Sequence, residues 1–199
     1  MRLLFEIDKK DYKENGTVGV RPSVRGIIVR DNKIGMIHSL KYDYYKFPGG
    51  GAEGGENHRQ TLIREVKEES GLVVIPDSIR EYGYVHRVQK GKYEDIFIQD
   101  NYYYFCEVYD EITEQNLDDY EEEEKFLLEF VTPQQAIDIN INHAHGDKSG
   151  ISQFEVMLER ELQVLEMLMK ENRIYHCPLP ARDRCLYPSA KIFFRQEWI

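Results

Sequence analysis

Cysteine, positive charge and long apolar runs are all scarce in this 199-residue sequence, and each scarcity excludes something. The three cysteines, Cys106, Cys177 and Cys185, are odd in number and show no CxxC spacing. They offer neither a disulfide framework nor a zinc pattern, and a reducing cytoplasm is the expected location. Lys and Arg number 26 against 36 Asp and Glu, for a net charge of -10. That balance argues against binding a nucleic acid polymer, whose phosphates are held by positive patches. A small phosphate compound remains accessible to an acidic protein through metal ions. No run approaches the roughly 18 apolar residues of a membrane-spanning helix. The opening segment, MRLLFEIDKKDYKENG, meets charge almost at once, so neither a signal peptide nor membrane contact is expected. Repeats are absent as well.

What is present reads as alternating strands and helices. VRGIIVRDNKIGMIHSL (24–40) holds two β-rich runs around the polar turn Asp31-Asn32-Lys33, a hairpin. YKFPGGGAEGGE (45–56) carries five glycines and a proline and is expected to be loop. From Asn57 to Ser70 the glycines stop, Leu62, Ile63 and Val66 recur at helical spacing, and Gly71 supplies a stop. SIREYGYVHRV and DIFIQDNYYYFCEVY flank QKGKYE as a second hairpin. LDDYEEEEKF (117–126) reads as an acidic loop, followed by the strand FLLEFV and a helix capped by Thr132 with Pro133 at its first position. Residues 151–173 form one amphipathic helix with Phe154, Leu158, Leu162, Leu165 and Met169 on a stripe, and an irregular tail follows. The stripe is expected to pack on the main domain or to form a dimer contact.

The 57–70 helix crowds Glu65, Glu68 and Glu69 into an arc of roughly 100°, separate from the arc of Leu62, Ile63 and Val66. Like charges at these spacings cost only about 0.2–0.5 kcal/mol per pair when solvated, so the crowding alone could be an ordinary charged face relieved by Arg64 and Lys67. The upstream residues change that. Gly50, five residues, Glu56, seven residues and then Arg64-Glu65-Val66-Lys67-Glu68-Glu69-Ser70-Gly71-Leu72 fill all nine fixed positions of the pattern GX5EX7REUXEEXGU, where U is aliphatic. At ordinary residue frequencies such a match arises by chance on the order of 10⁻⁸ times per starting position. The stretch resembles the Nudix box.

A glycine-rich loop facing three carboxylates suits a hard divalent cation, which prefers oxygen ligands and keeps positions open for phosphates and water. The resemblance implies a Nudix-type α/β/α sandwich with a mixed sheet, spanning residues 1–145, with 146–199 as a C-terminal helical extension. It implies a Mg²⁺- or Mn²⁺-dependent hydrolase that cleaves the pyrophosphate of a nucleoside diphosphate linked to another group. Carried over by position, Glu65, Glu68 and Glu69 look like metal ligands, with a backbone carbonyl of Gly49 or Gly50 beside them. Arg64 would orient the glutamates and Glu56 would tie loop to helix. Glu65 is the first choice for general base, and the acids at 121–124 are the second, although a solvated charged loop is the plainer use of any one of them. The alternative function is a Nudix-like nucleotide sensor that binds without cutting.

Substrate identity stays open. ADP-ribose relatives often carry a proline about 16 residues after the box and dinucleoside polyphosphate types a tyrosine near 18, whereas Val88 and Lys90 stand there. Tyr42, Tyr44, Tyr45, Tyr102 and Tyr104 could stack a base, but strand packing is the commoner use of such tyrosines. His143 and His145 are two apart, and without a third ligand nearby they read as polar loop. His176, Cys177 and Cys185 also fall short of a zinc pattern.

Overall fold

The computed structural model describes residues 1–174. The expected irregular tail, with His176, Cys177 and Cys185, lies outside the described residues.

A five-stranded mixed sheet forms the centre. β1 (Leu3–Asp8) runs parallel to β8 (Arg80–Gln89), which pairs antiparallel with β9 (Ile96–Phe105). β9 in turn runs parallel to β2 (Val18–Val20) and β3 (Ser23–Ile27). A four-stranded antiparallel sheet holds β4 (Val29–Arg30), β5 (Lys33–Ser39), β6 (Tyr44–Lys46) and β11 (Phe126–Val131). A short antiparallel pair joins β7 (Leu72–Val74) to β10 (Val108–Ile112). The helices are α1 (His58–Ser70), α2 (Asp119–Glu124), α3 (Pro133–Asn142) and α4 (Ser152–Lys170). Among the described residues no helix is long and apolar enough to cross a membrane.

Strand alternation puts helices on both faces of the main sheet. Val24 and Ile28 pack with Leu62 and Val66 of α1. Ile27, Val85 and Tyr103 face the other way, onto Ala136 and Ile137 of α3 and Val156, Val164, Leu165 and Leu168 of α4. Removing each such Leu or Ile from water stabilises the fold by about 1.5–3 kcal/mol. The architecture is the expected α/β/α sandwich around a mixed sheet. Both hairpins are present, and the first closes through only two residues, Asp31 and Asn32, with φ of 51° and 61°. Asp and Asn tolerate that left-handed backbone, which matches the twist of paired strands.

Four local expectations need correction. The expected 45–56 loop begins inside β6, because Tyr44–Lys46 pair antiparallel with β5, and the Tyr45 N–H and C=O are in turn paired with the buried side chain of Asn140 at 2.7 and 2.9 Å, a partner 95 residues away. The run after residue 95 breaks at Phe105, and its end joins β7 as β10. The acidic segment at 117–126 is not a loop but contains α2: acids in the first turn suit the positive end of a helix, and Glu121 accepts a hydrogen bond from the Asp118 N–H at 3.0 Å. Two of its acids are buried, so the solvated-loop reading fails for Glu121 and Glu124. Finally, the α4 stripe packs on the domain as expected, with Phe154 and Leu165 buried and Leu158, Leu162 and Met169 half-buried against the core, but the inner face is not purely apolar, because Arg160 and Glu161 are buried on it too. Arg160 donates to Asn101 Oδ1 at 2.5 Å and to Glu161, and Glu161 accepts from the Phe47 N–H at 3.1 Å. A stripe counted from apolar residues alone misses a satisfied buried ion pair.

The Asn140 contact gives a stability test. Asn140→Ala leaves two buried backbone groups of Tyr45 without partners and is expected to cost about 2–4 kcal/mol, measured by urea unfolding. A loss under half of that would mean that β6 finds other partners.

Candidate active site

The loop after β6 is stitched to the edge of β3: Gly26 donates to the Pro48 carbonyl at 2.8 Å and Val24 to the Gly50 carbonyl at 2.9 Å. Gly49 has φ of 138°, and a Cβ there would meet the Val24 carbonyl oxygen at 2.0 Å, so only glycine fits. The chain then turns into α1, whose start is fixed by a capping box. Asn57 accepts from the Arg59 and Gln60 N–H groups, and Gln60 accepts from that of Asn57. Gly71 ends the helix with φ of 72°. Loop and helix are thus each locally specified, and the sheet edge sets them face to face.

Arg64 joins them. Its guanidinium grips Glu56 with two bonds of 2.7 and 2.9 Å and donates to the Gly51 carbonyl at 3.1 Å. Its remaining nitrogen donates to both Glu65 and Glu68 at 2.9 Å. Arg64 holds the Glu56 carboxyl down at about 2. Burial pushes the Glu65 carboxyl up, against the pull of Arg64. Glu69 is apart from this group: it is 2% exposed, accepts from Lys46 Nζ at 2.7 Å and from the Gly49 N–H at 2.8 Å, and burial raises its carboxyl to about 7.

The structure therefore brings Glu56, Arg64, Glu65 and Glu68 together and turns Glu69 inward, where it braces the loop. Of the glycines, Gly50 lies directly against Glu65: a Cβ on it would fall 2.3 Å from Glu65 Oε2. The carbonyl of Gly49 accepts from Arg25 and that of Gly50 from Val24. Of the 121–124 acids, Glu121 stands 4.0 Å from Lys46, next to Glu69, while Glu124 is tied to Tyr44 and Lys148 at 2.7 and 2.8 Å. Glu123 pairs with Lys41 at the surface.

Among the described residues no three His, Cys, Asp or Glu side chains enclose a metal position. The chemistry of the donor set nevertheless fits a hard divalent cation. Glu65 and Glu68 converge on a single positive nitrogen, every nearby ligand atom is oxygen, and the missing Cβ of Gly50 leaves room for the Glu65 carboxylate. Gly50→Ala is expected to displace that carboxylate and lower any activity by about 100-fold, with far-ultraviolet circular dichroism unchanged; an unimpaired variant would remove Gly50 from the site.

Sequence reasoning missed Lys46 and Arg25. Lys46 is the buried partner of Glu69, and Arg25 reaches the Phe47 and Gly49 carbonyls from β3. A lone lysine between Tyr45 and Phe47, just before the glycines, was the available signal. The tyrosines mostly pack: Tyr44 meets Phe126 and Phe154 edge-on, and Tyr45 stacks on His38. Tyr102 stands beside His58 and Tyr84. His143 pairs with Asp43, and buried His145 faces the Tyr42 and Asn140 carbonyls, both scaffold contacts.

A family model for the NUDIX domain matches residues 20–154. An ADP-ribose pyrophosphatase of Methanocaldococcus jannaschii is 38% identical over 72 residues, which is 34% of this chain and 42% of that protein. An RNA pyrophosphohydrolase of Hydrogenovibrio crunogenus is 39% identical over 66 residues, 33% of this chain and 39% of that protein. The matches thus span well under half the length of these curated relatives. A solved NUDIX hydrolase from Nitrosomonas europaea aligns with a TM-score of 0.49 at 15% identity, covering 71% of this chain and 89% of that one.

Proposed function

Because the chain belongs to the Nudix family, we propose that it is a pyrophosphohydrolase, dependent on Mg²⁺ or Mn²⁺, that cleaves the diphosphate of a nucleoside diphosphate linked to a further group. The observation that carries this reading is the single Arg64 nitrogen shared by Glu65 and Glu68 while the rest of the guanidinium locks Glu56 and the Gly51 carbonyl. Two carboxylates are held at a common point beside a loop whose backbone can approach phosphates closely.

Each residue then has a task. Glu65 and Glu68 hold the divalent ion, with Glu69 completing or bracing the set, and the ion when bound would neutralise phosphate charge. Glu65, shielded from solvent and with its carboxyl pushed up, is the first choice to take a proton from the attacking water. Glu121, beside Glu69, is the second. Arg64 and Glu56 act by positioning.

The test is incubation with Mg²⁺ and a panel that includes ADP-ribose, an RNA carrying a 5′ pyrophosphate, nucleotide sugars and nucleoside triphosphates. Cleavage of at least one compound, lost with EDTA, is expected. Stabilisation of the protein by one of them without cleavage would favour the sensor reading instead.

A further inference from the structure

Arg87, on β8, has only 6% of its surface exposed, and among the described residues no carboxylate lies within salt-bridge distance of its guanidinium. Its hydrogen bonds go to neutral oxygens: Gln89 Oε1 at 3.1 Å, Gln99 Oε1 at 3.5 Å and the Gln153 carbonyl at 3.3 Å. The nearest charges do not repair this. Arg25 and Arg160 are like charges, and the Asp11 carboxylate is engaged by the Lys90 N–H and Ser152 Oγ. Beside the guanidinium, the Gln89 Nε2 amide, wholly buried, has no acceptor among the described residues. A buried cation without a counterion is costly, and burial pushes the Arg87 guanidinium down to about 9.

Arg87, with Gln99 and Gln153, lines a cavity of about 480 Å³. Arg21 and Lys92 add two more positive charges to its wall, Tyr93 and Phe97 supply flat apolar surface, and among the described residues the single acid lining it is Glu94, packed against Gly19. The cavity adjoins the glycine loop. The Arg21 guanidinium lies so close to Gly51 that a Cβ there would sit 2.5 Å from it, and the Gly51 carbonyl is the one held by Arg64.

We infer that this cavity binds an oxyanion, a phosphate carried on the part of the substrate remote from the bond that is cut, with Arg87 as its buried ligand and Arg21 at its rim. A guanidinium matches a phosphate with paired hydrogen bonds, and the aromatic walls accept the flat or apolar part next to it. The choice of substrate rests on the pyrophosphohydrolase reading; the oxyanion site does not. It narrows the substrate class to compounds in which the group beyond the diphosphate carries an additional phosphate.

The test separates the two. Inorganic phosphate is titrated into the full chain by calorimetry, with EDTA present so that no divalent ion takes part. Binding to the wild type is expected, weakened about tenfold or more by Arg87→Met and by Arg21→Ala, since each removes a charge-assisted contact. Without phosphate, Arg87→Met should melt no lower than the wild type, because the uncompensated charge is gone. Arg21 is exposed, so Arg21→Ala remains informative should Arg87→Met not fold. No binding by the wild type, or equal affinity in the folded variants, overturns the site. Phosphate binding with no hydrolysis of any panel compound, nor of a nucleoside diphosphate derivative whose remote group bears a further phosphate, would instead defeat the enzymatic reading and leave the site standing.

Discussion

Replacing Glu68 by Gln is expected to lower turnover several hundred-fold or more with the fold intact, a barrier increase on the order of 4 kcal/mol. The substitution keeps the side chain's shape and its capacity to accept from Arg64, and removes only the negative charge. Glu68 is about one third exposed and belongs to neither core cluster that flanks the sheet, so stability has little to lose. The comparison to make is kcat at saturating Mg²⁺ on whichever compound the panel identifies. An unchanged rate would mean that the box holds no metal and that the Arg64 network serves structure alone.

Lys46→Met should do the reverse, acting on the fold first. Lys46 is buried between Glu69 at 2.7 Å, Glu121 at 4.0 Å and the Phe126 ring at 4.3 Å. Methionine keeps the apolar stem and strands two buried carboxylates without a cation. Removing one partner of such a pair costs about 3–5 kcal/mol, which lowers Tm by on the order of 10 °C in a chain of this size. The pH dependence has a definite sign. Burial raises the Glu69 carboxyl from its ordinary 4.5 to about 7, so its contribution to stability is fully present below 4.5 and is lost as pH rises through 7. Without Lys46 the carboxyl rises further. The deficit of Lys46→Met against wild type is therefore smallest near pH 5, where Glu69 can fold protonated, and grows towards pH 8. The double variant Lys46→Met, Glu69→Gln should recover most of the loss. A deficit equal at pH 5 and pH 8 would assign the effect to packing of the stem.

Helix α1 shows how far the sequence reaches. Asn57, Gln60, the Leu62 and Val66 spacing and Gly71 fix both its ends and its buried side through contacts within a few residues, so they can be read in order. The same holds for the Asp31-Asn32 turn and the Thr132-Pro133 start of α3. The box is legible for a related reason: Gly50, Glu56 and Arg64 act at fixed separations along a single loop and helix, and chain geometry alone brings Arg64 onto Glu56. The α4 stripe packs on the domain as expected, but apolar counting cannot anticipate that Arg160 and Glu161 share the inner face, satisfied by Asn101 and the Phe47 N–H.

The sequence by itself determined the family, the box and the elements that carry it. Tertiary structure alone decided the fate of individual charges. Glu69 differs from Glu68 by one position, about 100° of helix, yet only the approach of β6 puts Lys46 and the Gly49 N–H on it. Arg25, Arg87 and Arg160 come from β3, β8 and α4, and nothing local marks them as neighbours. Whether a charge is paired, stranded or free depends on which distant group the fold sets within about 3–4 Å of it. Sequence spacing does not specify that distance.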